Sequence, residues 1–180
     1  MRYFFLSFSL FALVSTVISQ NFTLQSDELQ GQATARQVFS GFGCEGENTS
    51  PQLSWSDAPE GTKSYAITMY DPDAPTGSGW WHWVVFDLPV ETTSLASGAG
   101  SEEGDLLPKG AIQGVSDYGS ASYGGPCPPE GHGFHQYLVT VYALKTESLG
   151  LDASASPAVI GYYLNANALA KASLVFYHQR

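Results

Sequence analysis

Two segments of this 180-residue chain concentrate the side chains able to do chemistry. The first is Asp71-Pro72-Asp73-Ala74-Pro75-Thr76-Gly77-Ser78-Gly79-Trp80-Trp81-His82-Trp83. The second is Tyr123-Gly124-Gly125-Pro126-Cys127-Pro128-Pro129-Glu130-Gly131-His132-Gly133-Phe134-His135-Gln136-Tyr137. Each is a Pro/Gly loop that delivers a histidine to the mouth of an apolar strand. Imidazole titrates near neutral pH, and a neighbouring carboxylate favours its charged form. His82, His135 and the phenol of Tyr137 would together offer hydrogen-bond donors to a small anion. Asp71 is a poor direct partner for a dianion because like charges repel. Its expected work is to orient a histidine, or to bond a protonated or cationic part of a ligand. Trp80, Trp81 and Trp83 could wall a pocket, and an aromatic wall can contact a cationic head group.

These residues meet only if the flanking elements bring them together. Tyr65–Tyr70 reads as a strand running out to Asp71, and Trp83–Leu88 as a strand starting beside His82. Paired as a hairpin, the two return Asp71, Asp73 and His82 to one end of a sheet. Pro72 and Pro75 fix their own φ and hold Asp71 and Ala74 extended. Pro126, Pro128 and Pro129 stiffen the second loop. Tyr137 lies two residues beyond His135 on a strand, so the two share a face. Taken singly, these residues have plainer readings: a lone strand histidine is usually structural, the aspartates can cap turns, and the tryptophans can fill a core. His132 belongs on the loop surface and His178 near the exposed C-terminus. The combination at two stiff loops points to a site.

The rest of the pattern is mostly β. Short apolar runs alternate with turn residues, which indicates an all-β sandwich. Gln136–Leu144 is the longest strand, Gln52–Trp55 a short one, and Leu174–Tyr177 a final one. Residues 91–110 read as a polar surface loop with no domain boundary. Ser156-Pro157 starts a helix with a serine cap and a proline in the first turn. Val159, Tyr162, Tyr163, Ala166 and Leu169 would form its buried stripe.

Arg2, the apolar run Tyr3–Val14 and the small residues up to Ser19 read as a secretory leader over residues 1–19. The run is short of the roughly 20 residues a spanning helix needs, so no transmembrane segment is expected. Residues 20–180 suit one domain, exported to an extracellular or periplasmic space. The formal charge is −10, which disfavours nucleic acid and acidic membranes as partners. Cys44 and Cys127, an even pair in an exported chain, suggest a disulfide, with two buried thiols as the alternative. A bond would tie the second loop to the Gly41–Pro51 segment. Asn21-Phe22-Thr23 and Asn48-Thr49-Ser50 are glycosylation sequons, and the second reads equally as a loop requirement. No metal or cofactor motif is present.

Asp71-Pro72-Asp73-Ala74-Pro75 with His82-Trp83, and Gly125-Pro126-Cys127-Pro128-Pro129 with His135-Gln136-Tyr137, resemble the two signatures of the phosphatidylethanolamine-binding protein family. Asn48–Trp55, Thr76–Trp81 and Asn165–Ala172 are similar to its bacterial YbhB/YbcL branch. The resemblance spans about residues 22–180 and implies a Greek-key β-sandwich with a short C-terminal helix and an anion pocket at one end. By motif, Asp71, His82, His135 and Tyr137 carry the pocket, and Asp73, Pro75, Trp81, Cys127 and Pro128 line it. The implied ligands are phosphate, acetate-like anions and phosphorylethanolamine, and some members bind kinases or inhibit serine proteases. Gln136 replaces an arginine usual in the family, which removes one charge near the pocket. Val115–Gly119 also lacks the arginine that often opens that stretch.

Three functions compete at this level. The leading expectation is a non-enzymatic binding protein for a small anion or phospholipid head group. A protein-interaction module, such as a protease inhibitor or secreted effector, comes second. A hydrolase using Asp71, His82 and His135 comes last, since no G-x-S-x-G, H-E-x-x-H or P-loop is present.

Overall fold

The computed structural model describes residues 21–180; the leader expected over residues 1–19 lies outside them. In chain order the elements are β1 (Thr23–Gln25), β2 (Ser40–Gly41), β3 (Cys44–Glu45), β4 (Leu53–Ser56), β5 (Ser64–Asp71), β6 (Trp80–Pro89), β7 (Ser94–Leu95), β8 (Ile112–Gln113), β9 (His135–Leu144), α1 (Pro157–Asn167) and β10 (Ala168–His178). A five-stranded antiparallel sheet has the order β10-β9-β5-β6-β8. A three-stranded sheet, β1-β4-β7, lies apart from it, and β2 and β3 form a small hairpin. No helix among the described residues is long and apolar enough to cross a membrane.

The large sheet is covered on both faces. On one, Ile67, Met69, Trp83, Val85, Val139 and Val141 pack with Leu24, Leu53, Trp55 and Leu95 of the small sheet. On the other, Ala66, Val84, Phe86, Tyr142 and Leu144 pack with Ile160 and Leu164 of α1. Burial on both sides explains why β5 and β6 read as nearly continuous apolar runs rather than alternating ones. Each fully buried large aliphatic side chain stabilises the fold by about 1.5–3 kcal/mol.

The helix starts where the sequence places it, with the Ser156 hydroxyl accepting from the Val159 amide and Pro157 in the first turn. Its buried face is different from the expected stripe. Ile160, Gly161 and Leu164 face the sheet, whereas Val159, Tyr162 and Tyr163 are 44%, 71% and 39% exposed. Ile160 and Leu164 are one turn apart, so a single apolar pair suffices for contact. Leu169 cannot extend a helical stripe because the chain has already entered β10.

β10 is longer than the Leu174–Tyr177 strand expected. Its Ala-Leu-Ala-Lys-Ala start has weak strand preference, but it pairs with β9 from Leu144 to His135, and pairing overrides propensity. The polar excursion over residues 91–110 is anchored by β7, whose Leu95 and the nearby Ala99 enter the core.

Candidate functional site

β5 and β6 form the expected hairpin, and β9 lies on the other side of β5. This brings Asp71, His82, His135 and Tyr137 to one end of the sheet. They line a cavity of about 160 Å³ together with Pro75, Cys127 and Pro128. The remaining wall comes from Phe42, Ala74, Thr76, Trp80, Tyr118 and Pro129.

A bulge sets the histidine in place. Met69 pairs with Trp83 and Tyr70 with Trp81, which leaves His82 as the extra residue. A bulge re-aims side chains that strict alternation would separate. Trp83 enters the core beneath the small sheet, and the His82 ring meets Tyr137 edge-on at 5.1 Å. Trp81 faces the other way, packing on Tyr70 in a tilted pair with ring centroids 4.7 Å apart and joining the α1 cluster. The tryptophan in the cavity wall is therefore Trp80, and Trp81, expected there, is not among the lining residues.

His82 is buried, and its Nδ1–H donates to the Gly124 carbonyl at 2.7 Å. Burial pushes its pKa down to about 4, against the opposing pull of that hydrogen bond and of Asp71. The ring is neutral at physiological pH. Because Nδ1 holds the proton, Nε2 is left as an acceptor.

The Tyr137 hydroxyl is buried and has no hydrogen-bond partner among the described residues. Burial raises its pKa well above the ordinary value, with Asp71 adding to the effect, so the phenol keeps its proton. A buried, unmet hydroxyl costs about 1–3 kcal/mol. Here it borders the cavity.

His135 is buried, and both its ring nitrogens are engaged. Nδ1–H donates to Asp71 Oδ2 at 2.7 Å, and Nε2 lies 2.8 Å from His132 Nδ1. Asp71 Oδ1 accepts from the Asp73 amide at 2.7 Å, so Asp71 orients a histidine and its own loop together. Asp73 is not among the cavity-lining residues expected from its motif. Its Oδ2 accepts from the Gln136 amide at 2.8 Å, which fastens the first loop to the start of β9. His132, expected to be a plain loop residue, is exposed but bonded to the site. Its spacing of three residues from His135 was the only signal.

Cys44 and Cys127 form a disulfide with Cα atoms 6.0 Å apart. It holds the β2–β3 hairpin, which carries Phe42, against the Cys127–Pro129 wall. Phe42 packs on Phe39 and Tyr118, and the Tyr118 ring meets His82 at 5.5 Å. Tyr118 and Phe42 escaped sequence reasoning because nothing local marks a loop aromatic as facing a distant strand. Asn48 also ties loops together: its amide donates to the Tyr123 carbonyl and accepts from the Gly125 amide. Gly125 has no alternative, since a Cβ there would lie 1.9 Å from the Gln37 carbonyl oxygen. No cluster of three or more His, Cys, Asp or Glu side chains suited to a metal ion occurs among the described residues.

Comparison with known proteins agrees with this fold. Residues 25–179 match the family model described as phosphatidylethanolamine-binding protein. YbcL of Escherichia coli K12 is 54% identical over 155 residues, covering 85% of each chain. YbhB of the same organism is 48% identical over 139 residues, covering 77% of this chain and 87% of its own. The crystal structure of Escherichia coli YbcL superposes with a TM-score of 0.87 at 52% identity, covering 88% of this chain and 98% of that one. A putative homologue from Chlamydia trachomatis gives a TM-score of 0.74 at 26% identity, covering 90% of this chain and 99% of its own. Two bacterial relatives near half identity and a family model spanning almost every described residue lead to one conclusion: this chain belongs to the phosphatidylethanolamine-binding protein family.

Proposed function

We propose that this is an exported, non-enzymatic binding protein whose cavity takes a small oxyanion, either free phosphate or a phosphorylethanolamine-type head group. The observation that carries the reading is the buried Tyr137 hydroxyl, a donor with no partner among the described residues, at the wall of a preformed cavity. An oxyanion there would satisfy it. The volume of about 160 Å³ is below the range of roughly 300–1,000 Å³ typical for drug-sized ligands. It suits a head group rather than a whole lipid. Export is supported by the disulfide, which belongs to oxidising compartments.

A nucleophilic mechanism finds little support in the wall. Thr76 contributes an aliphatic hydroxyl, and that group donates to the Gly79 carbonyl, away from either imidazole. A protein-docking role has one observation in its favour. Phe42 lines the cavity mouth while 72% exposed, and Phe134, next to His135, is 55% exposed.

Calorimetric titration with inorganic phosphate and with phosphorylethanolamine tests the proposal. Saturable 1:1 binding that the Tyr137→Phe variant weakens is expected. Absence of binding by both ligands would count against it, and inhibition within a serine-protease panel would favour the docking role.

A further inference from the structure

An anion entering this cavity meets the carboxylate of Asp71, and no lysine or arginine among the described residues lines the wall. Arg180 donates to the Phe42 carbonyl without lining the wall, so a cation in the wall itself has to be an imidazole. His82 is held neutral by its burial, against the opposing pull of its bond to Gly124. His135 remains, and its Nε2 is 2.8 Å from Nδ1 of His132. Two ring nitrogens at that separation need one proton between them. With none, two lone pairs oppose each other; with two, the N–H groups collide.

We propose that His132 and His135 form a single proton-binding unit that serves the cavity, and that anion binding draws one proton onto it. The inference rests on the anion-pocket reading above. In the neutral pair, His135 Nδ1–H donates to Asp71, and His132 Nδ1–H donates to His135 Nε2. A proton from solvent adds at His132 Nε2, on an exposed ring. Transfer of the shared proton across the 2.8 Å bond then makes His135 the imidazolium and leaves His132 neutral with its new proton. The charge has moved from the surface to the cavity wall, and no hydrogen bond has broken.

The surroundings permit this charge. Asp71 on β5 is the direct counter-ion, and Asp73 is fastened to the neighbouring Gln136 amide. His82 on β6 opposes a second cation but is neutral. His178 on β10 sits opposite His135 in the ladder, and burial lowers its pKa. Glu130 precedes His132 by two residues. Arg180 accepts from the Gly131 amide through its carbonyl, while its guanidinium donates to the Phe42 carbonyl. The phenols of Tyr118 and Tyr137 are both pushed upward by burial and stay neutral.

The test uses sulfate, an oxyanion that does not itself titrate near neutrality, with phosphorylethanolamine as a second probe. Calorimetry at about pH 7.5, above the ordinary imidazole range, in buffers of different ionisation enthalpy reads the protons taken up. About one proton per sulfate is expected. Nitrogen-15 spectra of the wild-type rings should move toward the imidazolium pattern at His132 and His135 together and leave His82 unchanged. In His132→Asn the amide can still bond His135 but carries no titrating ring. Its sulfate affinity should fall several-fold, and its binding profile should shift to lower pH. Sulfate binding without proton uptake, or an unchanged profile in His132→Asn, would overturn the proposal while leaving the pocket intact. Failure of both probes to bind would instead remove the anion-pocket reading, and this inference with it.

Discussion

Asp71 and His135 are 64 positions apart in sequence and share a buried 2.7 Å hydrogen bond between Oδ2 and Nδ1. That bond joins the end of β5 to the start of β9 and sets which nitrogen of His135 carries the proton. Removing one member of a buried pair leaves the other without its partner. His135→Ala should therefore destabilise the fold by about 3 kcal/mol, measured by urea unfolding. Asp71→Ala should cost at least as much, because the Asp73 amide loses its acceptor too. A loss below about 1 kcal/mol, the net worth of an ordinary hydrogen bond, would show that the pair does not brace the site.

Tyr137→Phe separates binding from stability. The hydroxyl has no partner among the described residues, so its deletion should leave the unfolding midpoint unchanged or slightly raised. Phosphorylethanolamine affinity should fall by about tenfold, the weight of roughly one hydrogen bond of 1.4 kcal/mol. A marked drop in stability with unchanged affinity would place the hydroxyl in the structure rather than in the site.

The buried state of His82 makes stability depend on pH. Its pKa is about 4 in the fold against 6.5 ordinarily. Between those values the unfolded chain holds the proton and the folded protein does not. Stability therefore falls as pH drops through that window, with a total effect of about 3 kcal/mol. His82→Asn keeps a donor toward Gly124 and removes the titration. Its stability should decline less between pH 7 and 4, by about that amount. Parallel curves for the two proteins would contradict the assignment.

The disulfide should act on both fold and site. Cys44→Ser with Cys127→Ser opens a loop with a sequence separation of 83, and a loss of about 2–4 kcal/mol is expected. Because Cys127 lines the cavity and Cys44 anchors the hairpin bearing Phe42, phosphorylethanolamine affinity should fall as well. Thermal unfolding and calorimetry of the double variant check both effects.

Much of this site is legible in the sequence because proline and glycine restrict the backbone locally. Asp71-Pro72-Asp73 and Pro126–Pro129 announce two fixed loops, and flanking apolar runs announce the strands that carry them. The extra residue at His82 is not legible. A bulge arises from pairing between β5 and β6, and strict alternation along β6 gives no hint that His82 and Trp83 share a side while Trp81 turns away. The buried face of α1 is hidden for a related reason. Val159, Tyr162 and Tyr163 match Ile160 and Leu164 in apolar character, and only the position of the sheet decides which group is covered. Short strands such as β7 and β8, two residues each, exist only as partners of longer ones and leave no periodic trace.

Crystals soaked in selenate offer the most direct test of the central claim, that the cavity between His82, His135 and Tyr137 holds an oxyanion. An anomalous selenium peak should appear inside that cavity, with a selenate oxygen about 2.7–2.8 Å from the Tyr137 hydroxyl, and Tyr137→Phe should weaken it. An empty cavity in well-ordered crystals, with selenate bound elsewhere or nowhere, would contradict the account.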